Sequence, residues 1–299
     1  VSHGSQLFFS FSVVGLLLLL GFCCGVMVIF DLENANSLDL PFYFVRKIGK
    51  GNFGVVYEGE NKTTGERRAL KVVPKSSKVG KAERIVMEKL PHHPNLVQME
   101  GTFEIGQDFF VLVLELCQTD LKSHIAEKGG KLEEEDARLV MQGVSKGLEA
   151  LKHCNVFHRD LKTENILLTI GDGDITAKIA DFGLARVLRR SDELFHSFSG
   201  SPLYFAPEIW AQAGYGTKAD IYSCGVLLYE MMTGRPPFSF ARNKLQLRRL
   251  ALHTGIPGED FDALPLEDEG KEFLRRCLER DVGMRMDWEE FFIHPWLSM

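Results

Sequence analysis

Cysteine is sparse and unpatterned. Cys23, Cys24, Cys117, Cys154, Cys224 and Cys277 include no C-x-x-C pair and no histidine partner at zinc-ligand spacing. This argues against a disulfide framework or a zinc-stapled scaffold and leaves free thiols in a reducing compartment. Positive charge is not in excess: 35 basic residues stand against 41 acidic ones, a net charge of −6, which argues against nucleic acid as a partner. Internal repeats and low-complexity tracts are also missing. With 45% hydrophobic and 25% charged residues over 299 positions, the chain is neither disordered nor a miniprotein. At roughly 150 residues per domain its length suggests two domains.

The most local absence is that of charge between residues 7 and 30. As a helix rising ~1.5 Å per residue, this stretch would reach ~36 Å, enough to cross a ~30 Å hydrocarbon layer. A signal peptide fits less well, because residues 1 to 6 lack Lys and Arg and the apolar run is long. A buried soluble helix would normally keep a polar face. The expectation for residues 1–30 is therefore a membrane span, or a segment foreign to the rest, since the chain starts at Val1. Cys23 and Cys24 are acylation candidates if the segment meets a membrane, and small buried apolar residues otherwise.

Residues 31–41 are acidic and rich in turn formers, and read as a linker. Beyond them the pattern alternates at strand period. Residues 42–48, 55–60, 68–73, 96–104 and 109–116 are predicted strands, interrupted by a helix over 81–90. After Cys117, residues 133–153, 219–233 and 267–279 carry helical spacing. A β-rich small lobe followed by an α-rich large lobe is the economical architecture.

Gly49-Lys-Gly-Asn-Phe-Gly54 matches G-x-G-x-x-G, a weak signal on its own. A dinucleotide-binding loop would open a helix, whereas Val55-Val56-Tyr57 continues as a strand, so this is a hairpin tip. Glycines there let backbone amides approach phosphate closely. Lys71 follows in the apolar Ala69-Leu70-Lys71-Val72-Val73, and a lysine in a buried strand requires an anionic partner.

The strongest signal is His158-Arg-Asp-Leu-Lys-Thr-Glu-Asn165, followed by Ile166-Leu167-Leu168 and then Asp181-Phe-Gly183. Such a charged cluster beside a hydrophobic strand is costly unless a cation or ligand neutralises it. Asp160 is suited to accept a proton from a hydroxyl and Lys162 to hold a transferred phosphoryl group. Asn165 and Asp181 offer hard oxygens to Mg²⁺. A merely solvated charged loop is the bland alternative, but hairpin, lysine, charged segment and aspartate occur in the order that phosphoryl transfer requires.

Over about residues 42 to 299 these motifs resemble those of the eukaryotic protein kinases. The resemblance implies an α+β, bilobal fold: a small five-stranded antiparallel lobe with one main helix (42–116), a larger mainly helical lobe (117–299), and ATP between them. It implies that Gly49, Gly51 and Gly54 cover the phosphates, and that Lys71 grips them. Ile48, Val56, Ala69 and Leu167 surround the adenine, with Leu114 as gatekeeper, Glu115 to Cys117 as hinge and Asp120 near the ribose. Asp160 becomes the catalytic base, with Asn165 and Asp181 on Mg²⁺. Lys162 resembles the serine/threonine branch. Glu83 matches the helix-borne partner of Lys71, and Glu88, one turn on, is the alternative.

By the same resemblance, Arg159 anchors a phosphorylated residue between Asp181 and Glu208. Ser197 is the expected regulatory site and Ser199 the second, with an upstream activating kinase as partner. Ser201 would line the substrate side, Glu208 would pair with Arg285, and Asp220 would support the catalytic loop. Glu164 sits where relatives that prefer basic substrates contact an arginine. Gly200-Ser-Pro-Leu-Tyr204, the insertion over 169–177 and Trp288-Glu-Glu-Phe-Phe-Ile-His-Pro-Trp296 are most similar to the autophagy-initiating, Unc-like serine/threonine kinases, with parts shared by calcium/calmodulin-type kinases.

The expected activity is transfer of the γ-phosphoryl group of ATP to Ser/Thr hydroxyls of protein substrates. The expected location is a cytoplasmic catalytic domain, membrane-anchored if residues 7–30 span a bilayer. The competing readings are a catalytically silent, membrane-tethered scaffold and a small-molecule phosphotransferase.

Overall fold

A computed structural model of the chain describes residues 22–23, 26–27, 39–50, 54–171, 174–190, 192–256 and 261–298. Gly51 lies outside the described residues. So does the apolar segment expected to span a membrane, apart from a two-residue antiparallel pairing of Phe22–Cys23 with Val26–Met27. Among the described residues no helix is long and apolar enough to cross a membrane.

The first globular layer is built by β1 (Phe42–Lys50), β2 (Val55–Asn61), β3 (Arg67–Pro74), helix α1 (Lys78–Met87), β4 (Met99–Ile105) and β5 (Phe109–Leu114). The strands form one antiparallel sheet in the order β1-β2-β3-β5-β4. Strand alternation sorts the side chains of β3 and β5 onto two faces. Leu70, Val72, Val111 and Val113 close a small core with Phe42 and Phe44. Val73, Phe110 and Leu112 face the other way and join α1 and the main core through Val86 and Met87. Each such fully buried side chain contributes about 1.5–3 kcal/mol. Lys71 shares the parity of Val73, so the pleat alone directs it toward the helix side.

Most element boundaries lie within two residues of the sequence expectation, and two elements shift by three. The helix begins at Lys78 rather than Lys81 and ends at Met87, because the Ser77 hydroxyl accepts the Gly80 N–H at 3.1 Å and caps it earlier. The fourth strand begins at Met99 rather than Leu96. Leu96 bridges to Ile179 instead, and the Val97 N–H donates to the Ile179 carbonyl at 2.9 Å, so these residues stitch the sheet lobe to the helical one.

The second layer runs through β6 (Thr119–Asp120), α2 (Leu121–Glu127), α3 (Glu134–His153), β7 (Val156–Phe157), β8 (Ile166–Ile170), β9 (Ile175–Ile179) and β10 (Arg186–Val187). It continues with α4 (Pro207–Ala211), α5 (Lys218–Thr233), α6 (Lys244–His253), α7 (Asp268–Cys277), α8 (Trp288–Phe292) and α9 (Pro295–Ser298). Helix α3 is amphipathic, burying Val140, Val144, Leu148 and Leu151 at three- and four-residue intervals. Helix α5 is buried on nearly all sides and forms the axis of the lobe. The β8–β9 hairpin pairs with β6, so the chain entering β8 and the chain leaving β9 emerge at one edge beneath the sheet.

Candidate active site

The cavity between the two layers has a volume of about 1300 Å³. It is lined by Ile48, Gly49, Val56, Ala69, Lys71, Glu83, Leu114, Glu115, Cys117, Asp120, Asp160, Lys162, Asn165, Leu167, Asp181 and Ser199. Gly54, Arg159 and Ser197 are outside its lining. Gly54 closes the hairpin over β3 so tightly that a Cβ there would come within 2.6 Å of the Val72 carbonyl oxygen.

Lys71 stands between two carboxylates. Its ammonium lies 2.6 Å from Glu83 Oε1 and 2.9 Å from Asp181 Oδ1. Burial works against the Lys71 charge, but the two anions outweigh it and hold its pKa above the ordinary lysine value. Burial also opposes ionisation of Asp181, and the neighbouring lysine overcomes it, so this carboxyl titrates below its usual range. Glu83 comes from the inner face of α1 and is 1% exposed. Glu88, the alternative, pairs with Arg84 at 2.8 Å on the solvent side. The difference is one of helical phase: positions 83 and 88 are five residues apart and point about 140° away from each other.

Asp160 is set by its neighbours on every side. Ser201 Oγ donates to its Oδ1 at 2.8 Å, Lys162 Nζ lies 3.2 Å from its Oδ2, and Asn165 Nδ2 donates to its backbone carbonyl at 2.7 Å. Lys162 also donates to Ser201 Oγ at 3.1 Å. Below this cluster the Asp220 carboxylate, buried on α5, accepts the backbone N–H groups of His158 at 3.0 Å and Arg159 at 3.1 Å. These bonds hold Arg159 at φ 72°, a left-handed conformation that a non-glycine residue keeps only when its surroundings enforce it. His158 Nε2 lies 3.0 Å from the Ala180 carbonyl, tying this loop to the residue before Asp181. Asp181 itself has φ 61°.

At the cleft's rim, Asp120 spends its carboxylate capping α2, accepting the Ser123 N–H at 2.9 Å and its hydroxyl at 2.8 Å. Glu115 pairs with Lys178 at 3.0 Å. Burial pushes the Cys117 thiol up to about 12, so it stays protonated at neutral pH. Glu164 pairs with Lys122 at 2.6 Å.

Arg159 leaves the cleft toward the segment after Asp181. Its guanidinium donates to the Ser197 hydroxyl and to Tyr215 Oη at 2.7 Å, and its carbon lies 4.8 Å from the Phe195 ring centre. The Tyr215 hydroxyl in turn donates to the Ser197 carbonyl at 2.9 Å. Tyr215 carried no local sequence signal, since it stands 56 positions from Arg159 and outside any motif. Glu230 was likewise missed: it is buried on α5 against the Tyr204 hydroxyl and lies 3.3 Å from Thr163 Oγ1. A glutamate following the apolar run Cys224 to Tyr229 of α5 was the available hint. Farther out, Arg285 makes a bidentate pair with Glu208 at 2.7 and 2.9 Å.

Comparison with known proteins agrees with this geometry. The protein kinase domain model matches residues 42–297. Serine/threonine-protein kinase ATG1b of Arabidopsis thaliana is 36% identical over 85% of this chain and 36% of its own length. Serine/threonine-protein kinase fused of Drosophila melanogaster is 34% identical over 84% of this chain and 31% of its own. Calcium-dependent protein kinase SK5 of Glycine max is 35% identical, covering 84% and 50%. The chain thus spans between about a third and a half of these relatives. With the family model covering both layers and the cleft between them, the chain belongs to the protein kinase family, among relatives of the serine/threonine class.

Proposed function

We propose that this chain is a Mg²⁺-dependent protein serine/threonine kinase, with Asp160 as base, Lys162 and Lys71 on the phosphates, and Asn165 and Asp181 as metal ligands. The observation that carries the reading is the convergence, in one cleft, of the Lys71–Glu83–Asp181 ion triad with the Asp160–Lys162–Asn165 cluster. The donor set suits Mg²⁺: Asn165 commits its amide nitrogen to the Asp160 carbonyl, which leaves its amide oxygen to join the Asp181 carboxylate. Mg²⁺ prefers one or two protein oxygens with the rest of its shell from phosphate and water, and bound there it would neutralise phosphate charge.

The chain's own residues then divide the work. The glycine hairpin and Lys71 orient the ATP phosphates. Asp160 takes the proton of the acceptor hydroxyl as the new oxygen–phosphorus bond forms and the bond from the γ-phosphorus to the leaving ADP oxygen breaks. Lys162 offsets the charge gathering on the moving phosphoryl group. Transfer of labelled phosphate to a serine peptide, dependent on Mg²⁺ and abolished in Asp160→Asn, is the test. Absence of transfer by the parent chain as well would favour the scaffold reading.

Ser197 is the regulatory position in this reading. Its hydroxyl already meets Arg159, and Arg186 nearby has its pKa lowered by burial and by the Arg159 charge, so a phosphate there would relieve two crowded cations. An upstream kinase that modifies Ser197 is the partner this implies. A basic residue in the substrate would have to displace Lys122 from Glu164. The setting we favour is autophagy initiation, supported by the likeness to ATG1b, and a calcium-dependent kinase is the second reading, supported by the likeness to SK5. Stimulation of transfer by calcium–calmodulin would select the second. A tether through residues 7–30 is supported by their lack of charge and is tested by membrane partitioning with and without residues 1–30.

A further inference from the structure

Residues 231–258 hold five lysines and arginines and not one aspartate or glutamate, in a chain whose net charge is −6. The five are Arg235, Arg242, Lys244, Arg248 and Arg249, all exposed, and none forms an ion pair among the described residues. Elsewhere on this protein exposed arginines and lysines commonly find a carboxylate, as Arg67 does with both Glu58 and Glu60. Beside this run of cations lies a recess of about 290 Å³, walled by Phe198, Trp210, Gln212, Lys244, Leu245 and Arg248. Its volume is just below the range of small-molecule sites and suits one or two side chains. Leu245 stands 75% exposed at its mouth, and Phe240 on the preceding loop is 64% exposed. Trp210 is 2% exposed, yet its indole N–H is buried with no acceptor among the described residues.

We propose that this recess docks a segment of a protein partner in which an aromatic or large aliphatic side chain is flanked by carboxylates. The apolar side chain enters between Phe198, Trp210 and Leu245. The carboxylates lie against Lys244 and Arg248, which their i, i+4 spacing sets on one face of α6. A flat anionic bilayer would meet the same charges but would leave the open recess between Phe198, Trp210 and Leu245 unfilled, so the concavity favours a peptide. The wall belongs partly to the segment between Asp181 and Glu208. Phe198 packs edge-on against Phe205 and Trp210 while its neighbour Ser197 meets Arg159. The docking site therefore exists only while that segment follows this path.

The test probes a peptide array with the full chain. Each peptide carries one phenylalanine or leucine flanked by randomised acidic, basic or uncharged positions, and phosphatidylserine vesicles are run in parallel. Acid-flanked apolar peptides are expected to be retained above every other class. The variant Lys244→Glu/Arg248→Glu is expected to lose that retention by about tenfold or more. Its transfer to a short serine peptide without flanking carboxylates should be unchanged, as should its melting temperature within about 2 °C. Retention that ignores flanking charge, or that survives in the double variant, overturns the proposal. Vesicle binding abolished in the double variant, with no acid-flanked peptide retained, overturns it in favour of a membrane surface. Because binding is read separately from transfer, failure here is distinguishable from failure of the kinase assignment.

Discussion

Replacing Glu83 by glutamine tests the centre of the cleft most directly. The Lys71 side chain is 9% exposed and that of Glu83 1%, so the pair sits in a region of low dielectric. Removing one partner of a buried pair costs about 3–5 kcal/mol when nothing takes its place. Here Asp181 remains 2.9 Å from the same ammonium, and glutamine keeps an oxygen in the place of Oε1. The loss should therefore shrink to the charge-assisted share of one hydrogen bond, about 2 kcal/mol. Glu88→Gln removes only the exposed pair with Arg84 and should cost about 0.5 kcal/mol or less. In the first variant the Lys71 pKa falls, because one of the two anions that raise it is gone. The rate should follow the geometry: about a hundredfold loss of kcat/KM, equivalent to about 2.7 kcal/mol, for Glu83→Gln and little change for Glu88→Gln. Urea melts of both variants, run beside phosphate transfer to a serine peptide over a range of ATP concentrations, supply the two numbers. If Glu88→Gln proved the more damaging variant in either measurement, the pairing deduced from the cleft would be refuted.

Tyr215→Phe removes the hydroxyl shared by Arg159 and the Ser197 carbonyl, and should cost about 1–2 kcal/mol while speeding proteolysis within residues 186–201. Cleavage at the parent's rate would show that this bridge does not hold the segment. Gly225→Ala would raise intrinsic helix propensity in α5, yet its Cβ would lie 2.7 Å from Leu278 Cγ and 2.8 Å from Cys277 Cβ. The overpacking should win by about 1–3 kcal/mol in a urea melt, and a stabilised variant would contradict it. For Asp220, burial raises the carboxyl to about 7 from an ordinary value of 3.8. Between those values the folded chain holds a proton that the unfolded chain has released, so this group's contribution to stability falls as pH rises. Asparagine does not titrate, so the stability gap between the parent and Asp220→Asn should narrow from about pH 5 to about pH 8. A gap that widens over that span would reverse the assignment.

Legibility from sequence followed the range of the interactions involved. The five strands of the small lobe were readable because each is a short alternating or apolar run, and alternation is a property of neighbouring residues. The residues between His158 and Asn165 were readable for the same reason, since their chemistry is packed into eight consecutive positions. The start of β4 was not. Leu96 and Val97 look like strand residues, and they do bond to a strand, but to Ile179 in the other lobe. Local pattern could not choose between the neighbouring strand β5 and Ile179, 82 positions beyond Val97, since both offer the same backbone groups. The Lys71 partner was legible only in part: the resemblance favoured Glu83 and kept Glu88 as the alternative. Spacing left both Glu83 and Glu88 in play, and only the packing of Val86 and Met87 into the core orients α1 and turns Glu83 inward.

The sequence by itself determined the chemistry this protein carries: a glycine hairpin, a lysine in an apolar strand, and an aspartate, a lysine and an asparagine in one tight segment ahead of a second aspartate. Those are short-range facts, written in consecutive residues, and charge or conformational need explains each. The tertiary structure decided what lies across the gaps. It chose Glu83 for Lys71, bound Arg159 to Tyr215, and buried Glu230 against Tyr204. It also gathered Phe198, Trp210 and two cations of α6 that form no ion pair among the described residues around one recess. The residues meeting in each case come from separate elements, and nothing in their own neighbourhoods says which will pack together. The absence with which the sequence opens, that of charge over residues 7–30, remains a compositional fact.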